Sequence, residues 1–248
     1  MRINTILTPL MVEELYFANR MAVVIDVLRA TSTITTAIMH GAKEVVPVGS
    51  LDFSKIASAS SFGGRTMRGG EKNSKKIEGF DLGNSPLEYQ QSVVEGKSIV
   101  FFTTNGSKAI VKTKYGSGTF ICSFLNAEAV AKQLAGMGRE FDILCSGLNG
   151  DFSLEDTVCA GMLLSELLKI NSDFQLSDAS TVAIDLYERY GEDIRGLYAL
   201  SEHGRILEAG GFIDDLDYCA QKNITDVIPV FESSAIKLFN PSIHLQSN

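Results

Sequence analysis

Asp26 and Arg29 follow the apolar run Val23-Val24-Ile25, and Thr31, Ser32 and Thr33 come directly after them. A carboxylate, a guanidinium and three hydroxyls therefore meet where a strand ends and the pattern predicts a helix. A helix N-terminus exposes unpaired N–H groups and the positive end of a dipole, so it suits an anion. Asp26 would repel that anion unless a metal ion lies between them. The combination points to a phosphorylated or multiply anionic small molecule held with Mg²⁺. A buried aspartate capping a turn beside Arg29 explains the same residues without a ligand.

Other segments offer compatible chemistry. Thr104-Asn105-Gly106-Ser107 reads as a tight strand-to-helix turn, with Gly106 allowing close backbone approach. Thr104 and Asn105 can donate to a phosphate oxygen, while Ser107 can cap the helix, and capping alone is the simpler account. Asn84-Ser85-Pro86 marks a helix start, which leaves Asp81 and Asn84 unexplained. Glu71 follows Gly70 as an isolated acid in a basic stretch. Carboxylates among glycine turns suit Mg²⁺, which takes a few of them with water and substrate oxygens. Ser153 fits an N-cap with Asp156 in a capping-box place. The helix dipole alone favours Glu155 and Asp156 there, although with Asp151 they could also supply metal ligands. His203 and Arg205 could reach an anion or lie on the surface. No P-loop, no Gly-x-Gly-x-x-Gly after a strand and no Gly-x-Ser-x-Gly elbow is found, which disfavours nucleotide and esterase chemistry.

Something must position these residues. Apolar runs of strand length recur at Ala22–Ile25, Val45–Val48, Ile99–Phe102, Phe120–Cys122, Phe141–Cys145 and Val227–Phe231. Helical spacing occupies Ile34–Met39, Glu128–Leu134, Val158–Ile170 and Thr181–Arg189. Alternation of the two predicts an α/β protein with a largely parallel sheet. Three strands, ending near Asp26, Thr103 and Ser146, run into small polar turns. If they are sheet neighbours, the turns line one crevice at the carboxyl ends. Residues 60–79 read as a basic Gly-rich loop or hairpin and 240–248 as a polar tail. No linker divides the chain, so a single domain over 1–248 is expected.

The net charge of −8 argues against nucleic acid as a partner and leaves room for a small anion in its own pocket. No apolar run is long enough to span a bilayer and the start lacks signal-peptide features, so a cytoplasmic protein is expected, with no membrane partner. The four cysteines form no Cys-x-x-Cys pair and read as buried hydrophobes. Oligomeric state, a homo-oligomer included, is left open.

The motifs around Asp26–Ser32, Gly70-Glu71, Gly79–Pro86, Thr103–Ser107, Glu155–Gly161 and His203–Leu207 occur in an order that resembles the 2-phosphosulfolactate phosphatase family. The resemblance implies a three-layer α/β/α fold with a largely parallel or mixed central sheet. It implies a Mg²⁺-dependent acid phosphatase that hydrolyses (2R)-2-phospho-3-sulfolactate, or a related 2-phospho-carboxylic acid, in coenzyme M biosynthesis. On this basis Asp26 and Arg29 are expected to be catalytic, and Asp26, Glu71 and Asp81, with Asp156 as a further candidate, are expected to hold Mg²⁺, the alternative for Asp26 being a nucleophile that forms an aspartyl phosphate. Arg29, the Thr31–Thr33 N–H groups, Thr104 and Asn105 are expected on the phosphate, with Asn84, Ser85 and Gly106 beside them. Lys72, Lys76 and Arg205 are expected to receive the remaining acid groups. Lys72 departs from the arginine of similar sequences, and lysine cannot make the same two-pronged contact. Another metal-dependent enzyme on small phospho or keto acids, or a non-catalytic anion binder, are the alternatives.

Overall fold

Runs of Val, Ile, Leu and Phe without polar alternation fold here as strands buried on both faces. The computed structural model describes residues 1–52 and 66–241. Strand β1 (Arg2–Ile6) leads through two short 3-10 turns to β2 (Met21–Ile25) and helix α1 (Ala30–Met39). Then come β3 (Glu44–Pro47), β4 (Thr66–Lys72), β5 (Lys75–Lys76) and the one-turn helix α2 (Gln91–Val94). Strand β6 (Ser98–Phe102), α3 (Gly106–Lys112), β7 (Gly118–Cys122) and α4 (Ala127–Met137) follow. Next are β8 (Phe141–Cys145), α5 (Leu154–Ile170), β9 (Gln175–Leu176) and α6 (Asp178–Tyr190). Three short helices, α7 (Ile194–Leu200), α8 (Glu202–Ala209) and α9 (Ile213–Cys219), precede the hairpin of β10 (Pro229–Glu232) and β11 (Ala235–Leu238).

The strands form one mixed sheet in the order β5-β4-β6-β3-β11-β10-β7-β2-β8-β1-β9. Pairing is parallel except around the β10–β11 hairpin and between β4 and β5. Alternate residues of β2 serve two cores. Val23 and Ile25 pack with α4 and α5, whereas Ala22 and Val24 pack with α1 and α3. This is the expected three-layer α/β/α arrangement.

The hairpin decides where the site forms. It pairs with Thr119 and Phe120 at the start of β7 and with Val45 of β3, joining two half-sheets at one end. Strands β2 and β8 are neighbours as expected, but β6 belongs to the other half and is not. Helix α3 packs against both β2 and β3, so the turn after β6 still reaches the end of β2.

Two local expectations are resolved. Of the loop or hairpin expected over 60–79, the described part contains the hairpin: β4 and β5 pair and are closed by Asn73 and Ser74, both at positive φ, as two-residue turns require. Residues 60–65 of that stretch and 242–248 of the tail lie outside the described residues. The helix expected after Ser85 is a short 3-10 turn, Pro86–Glu88. The Ser85 hydroxyl donates to Asp215 Oδ1 at 2.6 Å instead of capping it.

Candidate active site

A cavity of about 280 Å³ opens where the two half-sheets meet. Asp26 and Arg29 reach it from the end of β2, and Glu71, Asn73 and Ser74 from the β4–β5 hairpin. Asn84, Thr103, Thr104, Asn105 and Asn149 come from loops, and His203 and Ile206 from one face of α8. Six residues expected at the site are thus brought together: Asp26, Arg29, Glu71, Asn84, Thr104 and Asn105.

Asp26 is buried beneath the first turn of α1. Its Oδ1 accepts from Ala30 N at 3.3 Å, so the helix N-terminus is aimed at this carboxylate. Thr31 N and Thr33 N donate to the carbonyls of Asp26 and Arg29. The hydroxyls of Thr31, Ser32 and Thr33 donate to Asp26 O, Val27 O and Asn84 O. All three residues are fully buried and do not line the cavity. The expected phosphate cradle is therefore spent on holding Asp26, which itself carries the helix dipole's preference for an anion. Gly106 has a similar duty. A β-carbon there would collide with Asp26 Oδ2 and the Ala30 side chain, so it is a spacer below the carboxylate and not a ligand contact.

Burial pushes the Asp26 carboxyl up to about 7, with hydrogen bonds from Ser146 and Ala30 opposing and the charges of Glu71 and Glu155 adding to the rise. Asp156 is pushed well above the carboxylate range by burial and then by Asp26 and Glu155. It does not line the cavity. Its Oδ1 accepts from Val27 N at 2.9 Å, and its Oδ2 from Ser146 Oγ at 3.1 Å and Gly147 N at 3.3 Å. It straps the end of β2 to the turn after β8, and Ser153 caps its helix as expected, accepting from Asp156 N.

Glu71 is held on every side. Thr104 N donates to its Oε1 at 2.6 Å, and Ser74 N and Thr104 Oγ donate to its Oε2 at 2.6 and 3.1 Å. The β4–β5 turn and the turn after β6 are thereby locked together, and the Thr104 hydroxyl is not free for a phosphate. Asn105 accepts from Asn149 N through Oδ1 at 3.0 Å, which leaves its amide Nδ2 for the cavity. Asn84 is buried, and its Oδ1 has no hydrogen-bond partner among the described residues.

Arg29 is clamped from three directions. Nη1 donates to Asp215 Oδ2 at 2.5 Å, Nη2 donates to Ser74 O at 3.2 Å, and the guanidinium lies 4.0 Å from the centre of the Phe212 ring. It lines the cavity, where it is the one full cation among the described lining residues. His203, only 16% exposed, has Nδ1 3.7 Å from Glu155 Oε1, and burial lowers its ring to about 4.

The other expected ligands lie elsewhere. Asp81 Oδ2 accepts from Arg68 N on the outside of the hairpin. Lys76 donates to Asp81 O, and Lys72 is exposed on β4. Arg205 turns away from the cavity to Leu200 O, because the face of α8 that points inward carries His203 and Ile206. Ser85 supports Asp215. The sequence reasoning missed Asn73, Ser74, Phe212 and Asp215. Lys72-Asn73-Ser74-Lys75 had the look of a hairpin turn, but Asp215 sits among Asp214 and Asp217 with nothing in the sequence to single it out.

Among the described residues no three of His, Cys, Asp and Glu are grouped closely enough to hold a metal ion by themselves. The cavity nevertheless offers two carboxylates, Asp26 and Glu71, with the orphaned amide oxygen of Asn84. That donor set is hard and oxygen-only, as Mg²⁺ prefers, and Mg²⁺ usually completes its shell with water and substrate oxygens.

Residues 6–234 match the family model described as 2-phosphosulpholactate phosphatase. A protein of Clostridium perfringens (strain SM101 / Type A) named probable 2-phosphosulfolactate phosphatase is 39% identical over 99% of this chain and 100% of its own. A protein of Symbiobacterium thermophilum with the same name is 41% identical over 89% of this chain and 95% of its own. Another, from Clostridium novyi (strain NT), is 39% identical over 93% and 97%. Matched along nearly its whole length by one family and aligned end to end with such relatives, the chain belongs to the 2-phosphosulfolactate phosphatase family of phosphoric monoester hydrolases.

Proposed function

We propose that the protein hydrolyses the phosphate monoester of a small 2-hydroxy acid, with 2-phospho-3-sulfolactate as its substrate and Mg²⁺ as its cofactor. One observation carries the proposal: Asp26, Glu71 and Asn84, whose buried side-chain oxygen has no partner among the described residues, line one cavity with the clamped Arg29. With family membership, this favours cleavage of a phosphate over mere binding of an anion. A place in coenzyme M biosynthesis follows from that substrate, and a cytoplasmic location suits both the metabolite and the ion.

Asp26 and Glu71 would hold the ion, with Asn84 contributing through its oxygen or a water. When bound, the ion would draw charge from the phosphoryl oxygens and lower the pKa of a coordinated water. The protein's own part is positioning and charge. Arg29 grips the phosphate through N–H groups that Asp215 and Ser74 leave free, in an orientation fixed before substrate arrives. The Asn105 amide adds a neutral donor. The lysines expected on the carboxylate and sulfonate lie outside the cavity, so the Asn73 side-chain amide and the Ser74 hydroxyl would take that side. Glu71, pinned by three donors, keeps one position whether or not substrate is present.

Incubation with 2-phospho-3-sulfolactate and 2-phospholactate, followed by product analysis, tests the proposal. Free phosphate with an intact hydroxy acid is the expected outcome. A broken or rearranged carbon skeleton would mean a lyase. Tight binding without turnover would mean a binding protein.

A further inference from the structure

Loss of phosphate from an alkyl monoester leaves a strongly basic alkoxide, which needs a proton as the P–O bond breaks. Among the described cavity-lining residues few groups can give one. Arg29 keeps its protons under all ordinary conditions, and Asp26 and Glu71 are assigned to the ion. His203 remains. It comes from α8, a different element from those that carry Asp26, Glu71 and Arg29. Its Nδ1 faces Glu155 Oε1 at 3.7 Å, and Nε2 has no protein partner among the described residues.

The surroundings hold this pair in place. Glu155 is 2% exposed, with the Ser153 and Ser201 side chains favouring its charged form. Ser201 in turn caps α8, its Oγ accepting from Gly204 N at 3.1 Å. One buried carboxyl thus joins the start of α5 to the start of α8 and fixes the imidazole against the cavity. A separation longer than a hydrogen bond is common in catalytic pairs before substrate binds.

We propose that His203 is the acid of the phosphatase reaction, with Glu155 as its positioning residue and proton reserve. The inference rests on the phosphatase reading of the same cavity. The P–O bond breaks with its electron pair on the alcohol oxygen, which takes the proton from Nε2. Nδ1 takes the carboxyl proton of Glu155, so the ring stays neutral and Glu155 becomes a carboxylate. The attacking water supplies the new P–O bond; its proton returns through solvent to Nε2 while Nδ1 gives its proton back to Glu155, which restores the starting state.

His203→Gln and Glu155→Gln test this with two substrates and one inhibitor. A general acid is worth about 10²–10⁴ in rate when the leaving group is poor. His203→Gln should lower kcat for 2-phospholactate by about that factor, and Glu155→Gln by less. p-Nitrophenyl phosphate, whose leaving group needs no proton, should be hydrolysed by His203→Gln at more than about a tenth of the wild-type rate. The ratio of the two rates within one variant does not depend on how much of the sample is folded. Inhibition by inorganic phosphate should be unchanged.

Equal loss on both substrates, complete loss included, would overturn the proposal. So would retained turnover of 2-phospholactate, or weakening of phosphate inhibition in proportion to the lost rate. Failure of the wild-type protein to release phosphate from 2-phospholactate would overturn the phosphatase reading itself.

Discussion

Asp26 sits where three structural demands meet: the end of β2, the N-terminus of α1 and the close approach of Gly106. Its carboxyl titrates at about 7 in the folded protein against the usual 3.8. Between those values the folded state holds a proton that the unfolded state has lost, so stability falls as pH rises through that window. Metal-free Asp26→Asn, which has no such group, should therefore melt at a higher temperature than wild type at pH 8. The gap should close towards pH 4, and thermal melts in EDTA check it. A wild type as stable as the variant at pH 8 would contradict the account. Activity should move the other way, with kcat for Asp26→Asn lower by ~10³ or more if the residue holds the ion and the phosphate's charge depends on it. Arg29 offers a second case. Asp215→Asn removes the charge that anchors the guanidinium but keeps the shape. Hydrogen bonds to charged groups are worth about 1.5–3 kcal/mol, so KM should rise roughly tenfold or more. An unchanged KM would mean that Asp215 does not orient Arg29.

Elements decide which of these residues meet. Gly106 and Gly70 are both fixed by close approach. A β-carbon on Gly106 would strike Asp26, and one on Gly70, at φ 133°, would strike the Phe102 carbonyl. Gly106→Ala should cost about 1–3 kcal/mol of stability by overpacking and displace the carboxylate, visible as a lower Tm and a lower kcat. A variant normal in both would mean that α3 is free to move away from β2. The strand-to-helix alternation was legible because buried strands have no polar rows: the run Phe141–Cys145 coincides with β8, and other runs differ from their strands by a few residues. Strands β1, β4 and β11 were not legible, since Arg2-Ile3-Asn4-Thr5-Ile6 and the Gly-rich β4 lack such runs. The site was legible where chemistry and turn type coincided, at Asp26, Arg29 and Asn105. It was misread at Thr31–Thr33, Asp81, Lys72, Lys76 and Arg205, where side-chain direction decides the matter. Sequence does not encode that direction until packing is known. His203 stands on the inward face of α8 and Arg205 on the outward one, two residues apart.

At the scale of the whole molecule, the cavity exists because the β10–β11 hairpin joins two half-sheets at one end and leaves the carboxyl ends to converge around α1 and α3. Among the described residues no helix is long and apolar enough to cross a membrane. Buried acids (Asp26, Glu71, Glu155, Asp156 and Asp215) outnumber the one buried base, Arg29, at the convergence, and a divalent cation would relieve that excess. Addition of Mg²⁺ at pH 8 should raise the Tm of the wild-type protein, by an increment that grows with RT ln(1 + [L]/Kd), and should leave Asp26→Asn unmoved. The most direct measurement is phosphate release from 2-phospho-3-sulfolactate by the EDTA-treated protein, before and after Mg²⁺ is restored. The account predicts no release above background without the ion, full turnover with it, and neither in Asp26→Asn. Undiminished turnover in EDTA, or normal turnover by that variant, would contradict it.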